Sequence, residues 1–278
     1  MEHHNHKSSG FTLIELSVVL VIIGLIASGI LIGRDLIRSA EMRKVQSQFE
    51  AINSAVNTFQ NKYNCLAGDC ANATTFFGAD PTCSVHPGYF FNDTPGAPTC
   101  NGDGDGRLDA NNTYYEMTTF WQHMAYAGLL SGSYTGGWPT AAQQPAFIPG
   151  VNTPEVLGQN SYWLAFDGDN SVLFKSIPGF ATTIVPGSFG TVLGVNGYSV
   201  NGQLRMFTPT EAQALDTKYD DGNPASGHIL VAVGMTHCTN APAGEAVSKP
   251  ANASAQYLSG DATYKDAVDC NLVYLASF

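Results

Sequence analysis

Asn101, Asp103, Asp105 and Asp109 set oxygen-bearing side chains at alternate positions of the run Asn101-Gly102-Asp103-Gly104-Asp105-Gly106-Arg107-Leu108-Asp109. A hard divalent cation is held by about six to eight oxygens, and a short loop supplies them when ligands recur at every second residue. A glycine at the sixth position and an apolar residue at the eighth complete the pattern of a calcium loop, with the backbone carbonyl of Arg107 as a further donor. The twelfth position is Asn112, where tight sites carry a bidentate Glu, so weak affinity is expected. Glu116 could stand in for it, but only by giving up its place in the capping box Thr113 to Glu116. The same run also reads as a solvated Asp-Gly turn, and both readings stay open. Asp216, Asp220 and Asp221, ahead of Gly222-Asn223-Pro224, form a second acidic cluster. It reads as a helix end with Asx turns in preference to a metal site.

A different chemistry is suggested by Glu15, a lone carboxylate at the head of an apolar run. From Leu16 to Gly33 no charged side chain occurs, about 18 residues, long enough as a helix to cross most of a bilayer. A carboxylate beside such a run is costly and normally has a partner or a task. Ahead of it lies a polar leader with one lysine, Lys7, and the histidines His3, His4 and His6. A secretory signal peptide has its small-residue cleavage site after the apolar segment. Here the small residue Gly10 comes first, so cleavage would leave the apolar segment as the new N-terminus and remove the histidines.

The run Gly10-Phe11-Thr12-Leu13-Ile14-Glu15, followed by Leu16-Ser17-Val18-Val19-Leu20-Val21-Ile22-Ile23-Gly24, resembles the N-terminus of type IV prepilins and of the pseudopilins of type II secretion. The resemblance covers roughly the first 35 residues. It implies that a prepilin peptidase cuts between Gly10 and Phe11 and that the amine of Phe11 is then methylated. It also implies that the mature chain waits in the inner membrane before an assembly platform draws it into a filament of pilin subunits. In that setting Glu15 pairs with the positive amine of Phe11 on a neighbouring subunit. Opposite charges in a low-dielectric bundle attract strongly, so the pair can fix axial register. Gly24, Ser28, Gly29 and Gly33 suit close helix packing in lipid, though glycine is also ordinary in membrane helices. Major pilins often carry a helix-interrupting proline here; none lies between Phe11 and Lys62, which favours a minor or specialised subunit.

Beyond the run, Arg34, Asp35, Arg38, Glu41, Arg43 and Lys44 mark the exit into water. Met42, Val45, Phe49, Ile52, Val56, Phe59 and Tyr63 then recur at steps of three and four, a single apolar helix stripe. Packing against the protein's own domain explains the stripe better than a free coiled coil, because few charges flank it after Glu50. The expected helix is about 50 residues, or about 75 Å. Lys7 is a thin positive-inside signal that keeps the leader cytoplasmic and the remainder periplasmic. The six cysteines all lie beyond the membrane run and read as a disulfide framework in an oxidising compartment. Local pairing favours Cys65–Cys70, Cys83–Cys100 and Cys238–Cys270. Zinc is the weaker reading, since no tight Cys-x-x-Cys pair is present.

Four segments follow: leader 1–10, membrane or filament-core helix 11–33, amphipathic continuation 34–64, and a periplasmic or extracellular domain 65–278. In the last, Tyr162–Phe166 and Val172–Phe174 flank Asp167-Gly168-Asp169-Asn170 as a hairpin, and His228–Val233 and Leu272–Leu275 are further strands. Thr208-Pro209-Thr210-Glu211 starts one helix, and Thr113 to Glu116 opens another running through Phe120, Trp121, Met124 and Leu130. The expected class is α+β: a long N-terminal helix laid on an antiparallel sheet with large disulfide-bonded loops. His123, His228 and His237 have no evident nucleophile or base partner, and no catalytic motif is present, so an enzyme is not expected. The net charge of −11 argues against general nucleic-acid binding, which depends on Lys and Arg. Two functional classes remain: a subunit of a pilus or pseudopilus filament, or a minor pilin whose enlarged domain recognises a surface or cargo. Because Glu15 is present, an ordinary incorporated subunit is favoured over a tip cap.

Overall fold

The computed structural model describes residues 12–80, 83, 98–108, 116–137, 147–157, 161–167, 191–197, 205–231, 237–241 and 254–276. The chain divides into two compact units, Met1–Arg43 and Lys44–Phe278. The architecture is α+β, as the sequence predicts. Helix α1 runs unbroken over Leu13–Tyr63, 51 residues. Its most apolar window of 18 residues contains no buried residue, and that window is long and apolar enough to cross a membrane.

In the second unit the predicted stripe turns inward. Val45, Ile52, Val56 and Phe59 are buried, with Ala55 beside them. Phe49 packs at a tilt against Tyr274 with ring centroids 4.7 Å apart, and the Trp163 indole donates to Gln48 Oε1 at 3.3 Å. These contacts fix the helix to a four-stranded antiparallel sheet of order β1-β2-β4-β3, formed by β1 (Ser161–Asp167), β2 (Thr191–Gly197), β3 (Ile229–Val231) and β4 (Leu272–Leu275). Tyr162 through Phe166 are all buried, so β1 is covered on both faces, which explains why it reads as a continuous apolar run. The predicted strand at Val172–Phe174 lies outside the described residues. Among those described, β1 pairs with β2, in the register Phe166↔Val192 and Tyr162↔Asn196.

Among the described residues there are three shorter α-helices: α2 (Ala73–Phe77), α3 (Glu116–Tyr126) and α4 (Pro209–Tyr219). Helix α4 has the predicted capping box: Thr208 Oγ1 accepts from Glu211 N–H at 3.2 Å, and Glu211 Oε2 accepts from Thr208 N–H at 2.9 Å. Helix α3 stops at Tyr126 and does not reach Leu130. Gly128, at φ +71°, reverses the backbone, and the Leu129 and Leu130 amides both fold back onto the Met124 carbonyl. Thr113, the expected cap of α3, lies outside the described residues. The cysteines pair locally as Cys65–Cys70, Cys83–Cys100 and Cys238–Cys270, with Cα separations of 5.2, 5.7 and 5.1 Å.

Candidate functional site

Two places bring the candidate groups together. At the N-terminus, Thr12 and Glu15 form a capping box. Glu15 Oε2 accepts from the Thr12 amide and hydroxyl at 2.7 Å each, and the Glu15 amide donates back to Thr12 Oγ1 at 3.3 Å. In the single chain, therefore, Glu15 is held by its own helix start. Gly10 and Phe11 lie outside the described residues. Around the helix, a Cβ built on Gly24, Gly29 or Gly33 would meet nothing within 4 Å, so each glycine leaves open surface for a close neighbour.

The second place is the acidic loop, and its centre is a residue that the spacing of the loop does not reveal. Asp69, buried inside the Cys65–Cys70 loop, receives three backbone N–H groups: Gly104 at 2.6 Å and Asp105 at 3.2 Å on Oδ1, and Gly106 at 2.8 Å on Oδ2. The two loops touch closely because Gly102 has no side chain; a Cβ there would run into the Asp69 backbone. Asp103 and Asp105 each accept on one oxygen from an amide two residues further on, Asp105 N–H at 3.2 Å and Arg107 N–H at 2.9 Å. One oxygen from each of Asp69, Asp103 and Asp105 lies within 4.8 Å of the others. Glu116 is buried and accepts the Asp103 amide at 3.1 Å, so it faces this loop. Asn101, the first predicted ligand, instead accepts the Thr74 amide at 2.9 Å in the first turn of α2. Asp109 and Asn112 lie outside the described residues.

The donor set is all oxygen, which is what calcium prefers. Burial pushes the Asp69 carboxyl up to about 6, and the charges of Asp105 and Asp103 add to it against the pull of the Gly106 and Gly104 amides. A divalent cation would relieve that repulsion. Asp69 would hold the loop in shape while the outer oxygens of Asp103 and Asp105 met the ion.

The acidic cluster after α4 is a hydrogen-bonded turn, as its Asx pattern predicts. Asp220 receives the His228 amide and, at 2.7 Å, the Ile229 amide that opens β3; Asp221 receives the Asn223 amide at 2.8 Å. Asp216 is fully buried between the Gly222 amide at 2.9 Å and the Tyr257 hydroxyl at 2.8 Å. Burial lifts its carboxyl to about 6, helped by the charges of Asp221 and Asp220.

Compared with known protein families, residues 5–31 match the prokaryotic N-terminal methylation motif. The chain carries the prepilin-type signature. Neither curated proteins nor solved structures give a match. The prepilin-type segment covers the leader and the exposed half of α1 only, so the role of the domain rests on its own geometry.

Two positions gain a place in these sites only from the structure. Thr12 is one; its signal was present, because Thr12-Leu13-Ile14-Glu15 has the spacing of a capping box just before an apolar run. Asp69 is the other, and it joins its loop across 35 residues, beyond the reach of any local pattern. All three histidines of the domain named above have partners; His228 Nδ1 lies 3.6 Å from Asp220 Oδ1. His237 Nδ1 lies 3.0 Å from Asp269 Oδ2, and Asp269 Oδ1 receives Arg205 Nε at 3.0 Å. His123 is fully buried; its Nδ1 accepts the Gly68 amide at 2.9 Å, and its Nε2 lies 2.9 Å from Thr99 Oγ1. It thus links α3 to the loop that carries Asp69.

Proposed function

We propose that this chain is an incorporated subunit of a type IV pilus or a pilus-like filament, made as a precursor and assembled through α1. The observation that carries this reading is the prepilin-type segment on a helix whose apolar window contains no buried residue. Prepilin peptidase cuts between Gly10 and Phe11, Phe11 is methylated, and the chain waits in the inner membrane as a single-pass protein. On meeting a neighbour, Glu15 exchanges its local bonds with Thr12 for the charged amine of the next subunit's Phe11. The domain sits in the periplasm and then on the filament surface. Three disulfides beyond the span support that orientation. Flank charge pulls the other way, with Arg34, Arg38, Arg43 and Lys44 after the span against Lys7 before it. The disulfides outweigh it, because long domains translocate largely regardless of flank charge. The role proposed is structural, not catalytic.

We also propose that the loop around Asp69, Asp103 and Asp105 binds calcium weakly and stiffens the junction of the Cys65–Cys70 loop with α3. The deciding experiment for the main reading is quantitative mass spectrometry of sheared surface filaments against the membrane fraction, searching for methylated Phe11. Abundant processed chain in the sheared material fits a pilus subunit. Processed chain confined to the membrane fits a pseudopilin, and an uncleaved leader overturns the reading.

A further inference from the structure

The C-terminus of α4 meets charge of the wrong sign. A helix ends in partial negative charge and is stabilised by a cation in its last turn. Here Asp216 lies in the last turn, and Asp220 and Asp221 follow it. Lys218, the basic residue of that turn, places its Nζ over the Tyr219 ring, 5.0 Å from the centroid. Among the described residues the one ion-pair partner of the three carboxylates is His228, an exposed ring that carries charge only when protonated. One oxygen from each carboxylate lies within 4.8 Å of the others, and Asp216 is fully buried. Three like charges this close, at a negative helix end, repel one another unless a cation stands between them.

The turn bonds around them leave room for one. Asp216 accepts the Gly222 amide on Oδ1 and the Tyr257 hydroxyl on Oδ2. Asp220 accepts the His228 and Ile229 amides on Oδ2. Asp221 accepts the Asn223 amide on Oδ1 and, at 2.7 Å, the Ser226 hydroxyl on Oδ2. Each carboxylate thus takes two donors, whereas it has about four lone-pair sites. The donors also fix how each carboxylate points, so an ion has little left to order. An independent observation comes from the sheet. The Tyr274 ring of β4 is fully buried against Phe49 and Trp163, and its hydroxyl has no hydrogen-bond partner among the described residues. Burial first, and then the charge of Asp216, hold this phenol above its ordinary range, so the hydroxyl faces that carboxylate. Buried hydroxyls of native proteins are nearly always bonded. One that faces a buried carboxylate without bonding it points to a ligand the two share.

We infer that Asp216, Asp220 and Asp221 hold one calcium ion, with the Tyr274 hydroxyl on the Asp216 side of its coordination shell. The donors are all hard oxygens, and calcium accepts an irregular set of them, whereas magnesium demands a near-ideal octahedron and keeps several waters. Affinity rises with the number of charged ligands and the rigidity of the site. Three carboxylates held by turn bonds, one of them buried, place the dissociation constant at about 10 µM or below. The ion is therefore bound before the loop around Asp103 begins to respond at millimolar calcium. It ties the end of α4 to the start of β3 through Asp220, and to the segment of Tyr257 through Asp216. The rival is a proton: burial lifts Asp216 to about 6, and protonation would relieve the same repulsion. At pH 8 that carboxyl is ionised, so the two explanations separate there.

The test uses full-length Asp103→Ala protein in detergent at pH 8, so that the loop around Asp69 does not contribute. Chelator buffers set free calcium from about 0.1 µM to about 100 µM, a range that spans the expected affinity. The melting temperature should rise by about 3–6 °C over that range, and equilibrium dialysis with radioactive calcium should find one ion per chain. Adding Asp221→Asn keeps an acceptor for the Asn223 amide but removes one charge, and it should abolish both signals. Magnesium over the same range should leave the melting temperature unmoved. No shift and no bound calcium at about 100 µM overturns the inference, and the proton then explains the cluster. Binding that survives Asp221→Asn overturns it as well, since the ion is then held elsewhere. An equal shift with magnesium overturns the choice of calcium. Failure in any of these ways leaves the filament reading and the Asp69 loop untouched, because neither uses these residues.

Discussion

Acid should destabilise the domain through His123, and by an amount that can be worked out. The imidazole is fully buried, stacked parallel to Phe59 at 6.4 Å, with Phe77 at 5.6 Å. Because Nδ1 accepts from the Gly68 amide, the ring is neutral with its proton on Nε2; Thr99 Oγ1 takes that proton's bond and donates its own to Gln122 Oε1 at 2.6 Å. A second proton has nowhere to sit without breaking the Gly68 bond. Burial lowers the pKa from 6.5 to about 4, against a weaker upward pull from the Cys100 carbonyl. With the folded value below the unfolded one, the unfolded chain binds the proton first. Stability is therefore intact above pH 6.5 and falls as pH drops toward 4. Between pH 7.5 and pH 5 the loss is about 2 kcal/mol, out of a limit of about 3 kcal/mol. Asp69 and Asp216 oppose this: their folded values are raised to about 6, so they add stability as pH falls through 6 toward 3.8. A difference curve removes those shared contributions. His123→Gln keeps an acceptor for Gly68 and a donor for Thr99 but cannot titrate. Urea unfolding of the full-length protein in detergent, followed by the fluorescence of buried Trp121 and Trp163, gives ΔG at each pH. The wild-type protein should lose about 2 kcal/mol more than His123→Gln between pH 7.5 and pH 5. A difference below roughly 0.5 kcal/mol would refute the buried neutral ring as the source.

Three further outcomes follow from the geometry. Glu15→Ala should be cleaved and methylated normally yet fail to reach sheared filaments; wild-type yield would rule out the charged contact. Millimolar calcium should raise the melting temperature of the wild-type protein by a few degrees and leave Asp103→Ala unmoved, and an equal shift in both places the ion elsewhere. Gly227→Ala should cost about 1–3 kcal/mol in urea unfolding, since φ there is +81° and a Cβ would strike the Asp220 carboxylate that holds the start of β3.

What could be read in advance was what is encoded locally. The cap of α4 and the stripe on α1 depend on residues close in sequence, the three disulfides join cysteines that are consecutive in the chain, and each formed as expected. The prepilin-type segment is likewise contiguous. β2 was unreadable because Thr191–Gly197 contains two glycines and lacks polar alternation; it exists because β1 and β4 flank it. Asp69 was unreadable because a bend of the chain brings it under a loop formed much later. Asn101 has a second role of the same non-local kind: its oxygen accepts the Thr74 amide at the start of α2, earlier in the chain, a contact that a spacing template does not register.

The exposed half of α1 decides what kind of medium this protein needs. Sixteen large apolar side chains from Leu13 to Ile37 are at least half exposed. Leaving them in water costs roughly 16 kcal/mol, at about 1 kcal/mol for each half-exposed side chain. That exceeds the whole stability of an ordinary domain, about 5–15 kcal/mol. A bilayer and a bundle of identical helices both remove this cost, and to nearly the same degree, because acyl chains are as apolar as leucine. Hydrophobicity therefore holds the chain out of water without choosing between membrane and filament. The choice falls to interactions that differ between the two: close backbone approach at Gly24, Gly29 and Gly33, and the partner of Glu15. Among the described residues, Glu15 receives bonds from the Thr12 amide and hydroxyl; in the proposed bundle it would gain a formal positive charge. Under the proposed function a single carboxylate would control assembly while contributing little to insertion, and its removal should then separate the two steps cleanly.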